Sequence, residues 1–310
     1  MPVMAAQHRA VLDDATAGTV AIGRRRVRRL GFGAMRVSQA CDAQGRSDRG
    51  LALELVLGVR DRGVQFFDTA NIYGLGASEE ILAAALAPYA EDVLVATKAG
   101  FRPGTLAPGQ RSLPPLGRPE HIREECERSL RRLRVDCIDL YQVHVPDPAV
   151  PWTETVGTFA ELQQAGKVRM VGVSNVTPEQ LREAQAIIEV VSVQNRYSVG
   201  DRRSERVLEA CERDGVAFLP WAPMLGVAGR PVAAVVDDIA ASRGVSKQQV
   251  ALAWLLQRSP VILSIPGTSQ LRHADENVDA AWLRLGDEDL ARLDIARPPE
   301  EPHEETVQHD

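Results

Sequence analysis

The chain reads as an α/β protein, a closed (β/α)8 TIM barrel preceded by a β-hairpin. Three observations predict it. Short apolar runs alternate with amphipathic helical stretches, and eight such strand-then-helix units can be counted in the 310 residues. The strand runs are nearly continuously apolar, as strands buried on both faces are. Several of them end in a polar or charged residue, and barrels build their sites from such strand ends. The first and clearest is Phe66-Phe67-Asp68-Thr69-Ala70-Asn71-Ile72-Tyr73, an apolar run closed by a carboxylate, a small polar turn and a tyrosine.

Residues 1–18 show no sustained periodicity and read as a loose N-terminus. A hairpin is expected over 20–29, turned at Gly23-Arg24. Leu30-Gly31-Phe32-Gly33-Ala34-Met35 reads as the first barrel strand, with glycines that let backbone approach a ligand. A helix over 51–62 and a strand over 64–68 follow. Ser78 is placed to cap a helix over 79–86. Then come a strand over 92–98, a helix over 119–133 with proline in its first turn, and a strand over 137–144. A helix over 152–164, a strand over 168–174 and a helix over 178–187, started by Thr177, continue the pattern. Next are a strand over 190–194, a helix over 204–214, a strand over 216–221, and helices over 233–243 and 247–258. The last strand is expected over 261–265, with helices over 270–278 and 287–293. The barrel is thus one domain over 19–297. Residues 298–310, rich in proline and acid, read as an exposed, mobile tail.

One connection is long. Residues 101–118 are rich in proline and glycine, and such loops tend to be functional. Following the strand of Lys98, this loop is expected to overhang the mouth of the barrel.

Composition excludes several classes. Charged residues are 25% and apolar residues 45%, and the net charge is −6. No global charge favours nucleic acid. The run Arg24-Arg25-Arg26 with Arg28 and Arg29 reads as a solvated hairpin. Cys41, Cys126, Cys137 and Cys211 form no Cys-x-x-Cys pair, so neither a zinc site nor a redox dithiol is indicated. No apolar run approaches the ~20 residues that span a bilayer. The reading is a cytoplasmic protein without membrane partners. Gly31-Phe32-Gly33 and Gly74-Leu75-Gly76 both lack the third glycine of the dinucleotide-binding loop, so any dinucleotide is held without it.

Two further strands end in chemistry: Ala96-Thr97-Lys98 and Tyr141-Gln142-Val143-His144. With Asp68 and Tyr73 they supply a set suited to proton transfer to a carbonyl oxygen. Further on stand Gly172-Val173-Ser174-Asn175, Gln194-Asn195-Arg196-Tyr197, and Ile265-Pro266-Gly267-Thr268-Ser269 with Glu276-Asn277. Taken in this order, these motifs resemble the aldo-keto reductases from about residue 20 to 293. The resemblance implies reduction of a carbonyl by NADPH, with Asp68, Tyr73, Lys98 and His144 as the catalytic tetrad. It also implies that the hairpin caps the barrel floor.

The chemistry can be read from the residues as well. No side chain donates hydride, so a nicotinamide must. A free tyrosine, near 10, is a weak acid. An ammonium beside it lowers that pKa; Lys98 is the candidate, kept charged and in place by Asp68. His144 is placed to orient the carbonyl and stabilise its developing charge. Taken singly, each residue is more simply a strand cap, a surface lysine, a packed ring or a buried histidine. The set, at strand ends, is what points to catalysis. His8, His121, His303 and His309 are assigned no chemistry.

The resemblance further implies that Ser174, Asn175 and Gln194 hold the carboxamide of the cofactor. Trp221 stacks on its ring with Ala222 also in the cofactor site, Met224, Leu225 and Gly226 run over the pyrophosphate, and Gly33 and Met35 approach from the first strand. At the adenosine end many members carry a lysine where Gly267 stands, and an arginine where His273 stands. Thr268, Ser269, Arg272 and His273 remain as phosphate donors, with Glu276 and Asn277 at the adenine. NADPH is therefore favoured over NADH. Met35, Phe101 and Val145 are expected to wall the substrate pocket, and residues 38–48 to shape it. The bacterial branch that includes pyridoxal reductases looks most similar, which makes a small aldehyde such as pyridoxal the leading substrate. Two alternatives stay open. One is a redox-sensing nicotinamide-binding protein like the potassium-channel β subunits; the other is a ketosugar reductase of specialised metabolism. No metal is implied, and the oligomeric state is not read from the sequence.

Overall fold

In a computed structural model, residues 10–42, 44–46, 48–106, 110, 112–223 and 231–296 are described. The chain enters through a short helix, α1 (Asp14–Ala17), whose N-cap Asp13 accepts from Thr16 N at 2.7 Å. This part of the N-terminus is therefore ordered by a cap, against the expectation of a loose segment up to residue 18. Strands β1 (Thr19–Ile22) and β2 (Arg25–Arg28) pair antiparallel, Thr19 opposite Arg28 and Ile22 opposite Arg25, as the hairpin reading required.

Seven parallel strands follow in sequence order: β3 (Phe32–Gly33), β4 (Phe66–Asp68), β5 (Leu94–Ala99), β6 (Ile138–Val143), β7 (Val168–Ser174), β8 (Val190–Gln194) and β9 (Ala217–Phe218). The expected eighth strand over 261–265 forms only isolated bridges: Ile262 to Phe218, Ser264 to Leu30 and Gly267 to Gly33. Pro266 has no amide hydrogen with which to extend a ladder. These bridges still join the two edge strands and close the ring. Close approach is what this seam demands. A Cβ on Gly33 would meet Ile265 O at 2.7 Å, and one on Gly267 would meet Gly33 O at 2.7 Å. The glycine at 33 thus serves strand packing. β3 ends at Gly33, after which the chain turns into a 3-10 segment, Ala34–Gln39.

Helices α2 (Arg49–Asp61), α3 (Ala77–Leu86), α4 (Pro119–Leu133), α5 (Trp152–Gln164), α6 (Pro178–Gln185), α7 (Glu205–Asp214), α8 (Pro231–Arg243), α9 (Lys247–Arg258), α10 (Leu271–Asp279) and α11 (Asp287–Ile295) complete the described elements. Thr177 closes a capping box with Gln180, as does Ser246 with Gln249. Ser78 does not cap α3. That helix begins two residues earlier, at Ala77 behind Gly76, and the Ser78 hydroxyl donates to Ala34 O at 2.9 Å while accepting from Thr69 Oγ1 at 2.7 Å. The strand expected over 216–221 shortens to β9, since Pro220 again removes a ladder donor.

The apolar core has two parts. One lies between the strands and the helices. The other fills the barrel interior, where Phe66, Leu94, Leu140 and Leu263 meet Val20, Ile22 and Val27 of the hairpin. The hairpin is therefore the barrel's floor plug. Full burial of such a side chain stabilises by about 1.5–3 kcal/mol. The polar strand ends gather at the opposite, C-terminal mouth. There the long loop is pinned at both ends: Arg102 N donates to Pro114 O at 2.9 Å and Leu116 N to Gly100 O at 2.7 Å. The His121 ring lies 3.1 Å from Phe101 O at its start. Residues 298–310 lie outside the described residues.

Candidate active site

Strand register brings the four expected side chains together. Asp68 ends β4, Lys98 sits near the end of β5 and His144 follows β6; Tyr73 begins a tight turn five residues after Asp68. Lys98 Nζ donates to Asp68 Oδ2 at 2.7 Å and to Thr69 O at 2.8 Å. Lys98 is fully buried and Asp68 nearly so. The ammonium lies 5.1 Å from the centre of the Tyr73 ring. The His144 ring stands edge-on to Tyr73, with centroids 6.0 Å apart, and edge-on to Phe101 at 4.7 Å. Phe101 and Val145, read as pocket walls, are both buried, and Phe101 serves to pack His144. Met35 is exposed by 46% at the mouth, after β3.

Burial of the Tyr73 hydroxyl end pushes its phenol above the ordinary value. The Lys98 ammonium opposes this shift without reversing it, and the Asp68 charge adds to it. The expected fall toward neutrality is therefore absent; desolvation is the larger effect. Burial also works against the charge on Lys98, but Asp68 and then Tyr73 more than offset it, so Lys98 stays protonated. The site holds a neutral phenol beside a fixed ammonium.

A second set forms one wall of the mouth. Asn175 adopts φ 59°, a left-handed conformation that asparagine tolerates. Its amide donates to His144 O and to Ser174 Oγ, each at 3.0 Å, and its oxygen accepts from Trp221 Nε1 at 3.1 Å. Ser174 Oγ donates to Gln194 O at 2.6 Å. Asn175 thus ties the tetrad histidine to the indole. Arg196 lies over the Trp221 ring at 5.8 Å and pairs with Asp201 at 2.7 Å. Trp221 and Asn175 both keep partial exposure. Gln194 Nε2 donates to Asp68 Oδ1 at 2.9 Å, a bond the sequence did not announce. Ala222 takes φ 54°; Met224 and Gly226 lie outside the described residues.

The 267–277 stretch leaves the closing strand and enters α10. Thr268 Oγ1 accepts from Gln270 N at 3.1 Å, and Cys41 N donates to Ser269 O at 2.9 Å. Arg272 is exposed and donates to Gln270 Oε1 at 2.9 Å. His273, Glu276 and Asn277 are partly exposed along α10. The helix start has no side-chain cap, so its N–H groups suit an anion. The Gly267–Gly33 contact leaves no room for a lysine Cβ at 267 on this backbone.

Among the described residues no cluster of His, Cys, Asp or Glu forms a metal site, and no helix is long and apolar enough to cross a membrane. The sequence pattern of the Aldo/keto reductase family matches residues 29–298. The chain belongs to the aldo/keto reductase family. Among its relatives, an uncharacterized oxidoreductase of Schizosaccharomyces pombe is 40% identical over 283 residues, 91% of each chain. The pyridoxine 4-dehydrogenase of Escherichia coli is 37% identical over 285 residues, 90% of this chain and 98% of that one. A crystal structure of an aldo/keto reductase from Klebsiella pneumoniae in complex with NADP and acetate superposes with a TM-score of 0.74 at 26% identity, covering 92% of this chain and 97% of that one. The glycerol dehydrogenase of Gluconobacter oxydans gives 0.76 at 26% identity, over 91% and 95%.

Sequence reasoning missed Gln142, Ser192 and Arg196 as members of this constellation. A signal existed for the first two. Gln142 interrupts Leu140-Tyr141-Gln142-Val143, and Ser192 interrupts Val190-Val191-Ser192-Val193, both otherwise apolar runs. A polar residue inside a buried strand requires a partner.

Proposed function

We propose that this protein is an NADPH-dependent reductase of small aldehydes or ketones, with Tyr73 as the proton donor. The observation that carries the reading is the buried Lys98–Asp68 pair beneath the Tyr73 ring at the barrel's mouth. Bound NADPH would supply the hydride that reaches the carbonyl carbon. Ser174, Asn175 and Trp221 would hold its nicotinamide end, and the α10 start with Thr268, Ser269 and Arg272 its phosphate. The exposed indole face, with its edge fixed by Asn175, fits a flat ring. The free N–H groups of α10 fit an anion.

In this mechanism the Tyr73 hydroxyl gives its proton to the carbonyl oxygen as charge develops there. The phenolate left behind is stabilised by the adjacent ammonium, which Asp68 keeps charged and still. His144 donates toward the same oxygen and fixes the direction of approach. Solvent then returns a proton to Tyr73. Run backwards, with bound NADP⁺ to take the hydride, the same groups would serve oxidation of an alcohol, with the phenolate as base.

The relation to a pyridoxine 4-dehydrogenase makes pyridoxal the first substrate to try, and the solved relatives with NADP make NADPH the first cofactor. The test is a panel of aldehydes and ketones, pyridoxal among them, followed by loss of NADPH absorbance. Turnover of at least one small carbonyl, faster with NADPH than with NADH, is the expected result. Tight NADPH binding with no turnover across the panel would overturn the assignment in favour of a redox-sensing role.

A further inference from the structure

Asp68 is held by more than its lysine. Its Oδ2 accepts from Lys98, while its Oδ1 accepts two amide donors, Gln194 Nε2 at 2.9 Å and Gln142 Nε2 at 3.3 Å. Gln142 is held in turn, since Ser192 Oγ donates to its Oε1 at 3.2 Å. Gln142 and Ser192 are both fully buried.

The register explains how side chains from alternate strands meet. Lys98 pairs with Gln142, Gln142 with Gly172, and Gly172 with Ser192, across β5 to β8. Gly172 stands between the two partners. A Cβ there would lie 2.2 Å from Ser192 Oγ and 3.0 Å from Gln142 Cγ. The missing side chain is what lets β6 and β8 touch. Three strands therefore contribute to one chain of contacts that ends on the carboxylate. Leu or Val at 142 and 192 would fill the same space without buried polar atoms to satisfy. Two polar residues and a glycine stand there instead, Ser192 bonding Gln142 and Gln142 bonding Asp68 across the gap at Gly172.

We propose that Gln142 and Ser192 are positioning residues for carbonyl reduction, bracing Asp68 so that its second oxygen stays on Lys98. The inference rests on the reductase reading above. Gln194 shares the brace but is also a candidate cofactor contact, so Gln142 is the cleaner probe. A loosened carboxylate has two effects on Tyr73, and both have the same sign. Its charge is less dispersed by donors, and the ammonium it anchors is less well fixed, so the phenolate is disfavoured. The charged or titratable groups facing Tyr73 are Asp68 from β4, Lys98 from β5 and His144 after β6. Glu79 of α3 and Glu125 of α4 lie further back, bonded to Arg132 and Arg128 respectively.

The experiment compares wild type with Gln142→Met, which keeps volume and removes the donor, and with Ser192→Ala. Three quantities are read: the single-turnover rate of NADPH oxidation with an aldehyde, the NADPH dissociation constant, and the pH profile of alcohol oxidation. For Gln142→Met the rate should fall about ten- to a hundredfold, the worth of one hydrogen bond to a charged group. NADPH binding should stay within about twofold, since the change lies behind the site. The alkaline rise of alcohol oxidation should move to higher pH. Ser192→Ala should show the same signs with smaller size, and it carries the test alone if Gln142→Met does not fold. An unchanged rate overturns the proposal. So does a lower rate with an unmoved pH profile, which a merely structural role would give. If Tyr73→Phe itself reduces aldehydes at the wild-type rate, the reductase mechanism fails first and takes this inference with it. An inactive Tyr73→Phe with an unaffected Gln142→Met sinks the brace alone.

Discussion

At the Asp68–Lys98 end of the cleft, polar groups are buried and bonded across strands: Lys98 to Asp68, Gln194 and Gln142 to Asp68, Asn175 to His144. At the 267–277 end Arg272, His273, Glu276 and Asn277 are exposed or half-exposed, and Thr268 and Arg272 both bond to Gln270, a near neighbour in the chain. The first end is fixed by register in a parallel sheet, where moving one side chain moves a strand. The second is a helix start and its surface side chains, where a substitution costs little. Chemistry needs atoms held to within a fraction of an ångström, whereas a phosphate can be gripped by several imperfect donors. On this view, changes at the first end alter rate steeply, and changes at the second alter affinity gently.

Lys98→Met should have the largest effect. Reduction should drop by at least about 10²–10⁴-fold, the usual span of general acid catalysis. Stability should fall by about 3–5 kcal/mol, because the Asp68 carboxylate is left buried without its counter-charge. Adding Asp68→Asn should restore much of the melting temperature and none of the activity. Activity within about tenfold of wild type, only ~1.4 kcal/mol, would break the comparison at its strong end.

The pH profile sharpens it. Since the Tyr73 phenol is raised by burial, the proton-donating form persists throughout the neutral range and beyond the ordinary phenol value. Reduction should therefore be flat in the proton-donor limb from about pH 6 to 9. Alcohol oxidation needs the phenolate and should climb with pH. Steady-state rates in both directions check this; an acid-form requirement lost near neutrality would contradict the burial argument.

At the weak end, Arg272→Ala with His273→Ala should lower NADPH affinity by only about three- to tenfold, in line with exposed charge pairs. NADH affinity should be unmoved and the turnover rate preserved. Raising salt should shrink the difference, as screening predicts. Titration by cofactor fluorescence at two salt concentrations reads it. A change in turnover as large as that of Lys98→Met would erase the distinction between the two ends.

The same contrast governed what the sequence disclosed. The ends of α4, α5 and α9 fall where proline, periodicity and caps set them, and β7 and β8 match their apolar runs. Asp68, Lys98 and His144 were legible because each closes such a run. Gln142 and Ser192 were not singled out, since their purpose depends on partners on other strands and on the gap at Gly172. The closing strand was read too regularly, because hydropathy does not register that Pro266 and the Gly33–Gly267 contact reduce it to bridges. The phenol's shift was misjudged for a related reason. A sequence shows that an ammonium is nearby, but not that desolvation of the hydroxyl outweighs it.

The central claim, that Tyr73 delivers the proton, is tested most directly by Tyr73→Phe in a single turnover. The variant loses one oxygen and keeps the ring that faces His144 and Lys98. NADPH is first titrated by stopped-flow fluorescence, then its oxidation by an aldehyde is followed by absorbance. NADPH should bind with nearly unchanged affinity, since Ser174, Asn175 and Trp221 are untouched, while the oxidation rate falls by about 10²–10⁴-fold. Oxidation of bound NADPH at near the wild-type rate would contradict the account and remove Tyr73 from the mechanism.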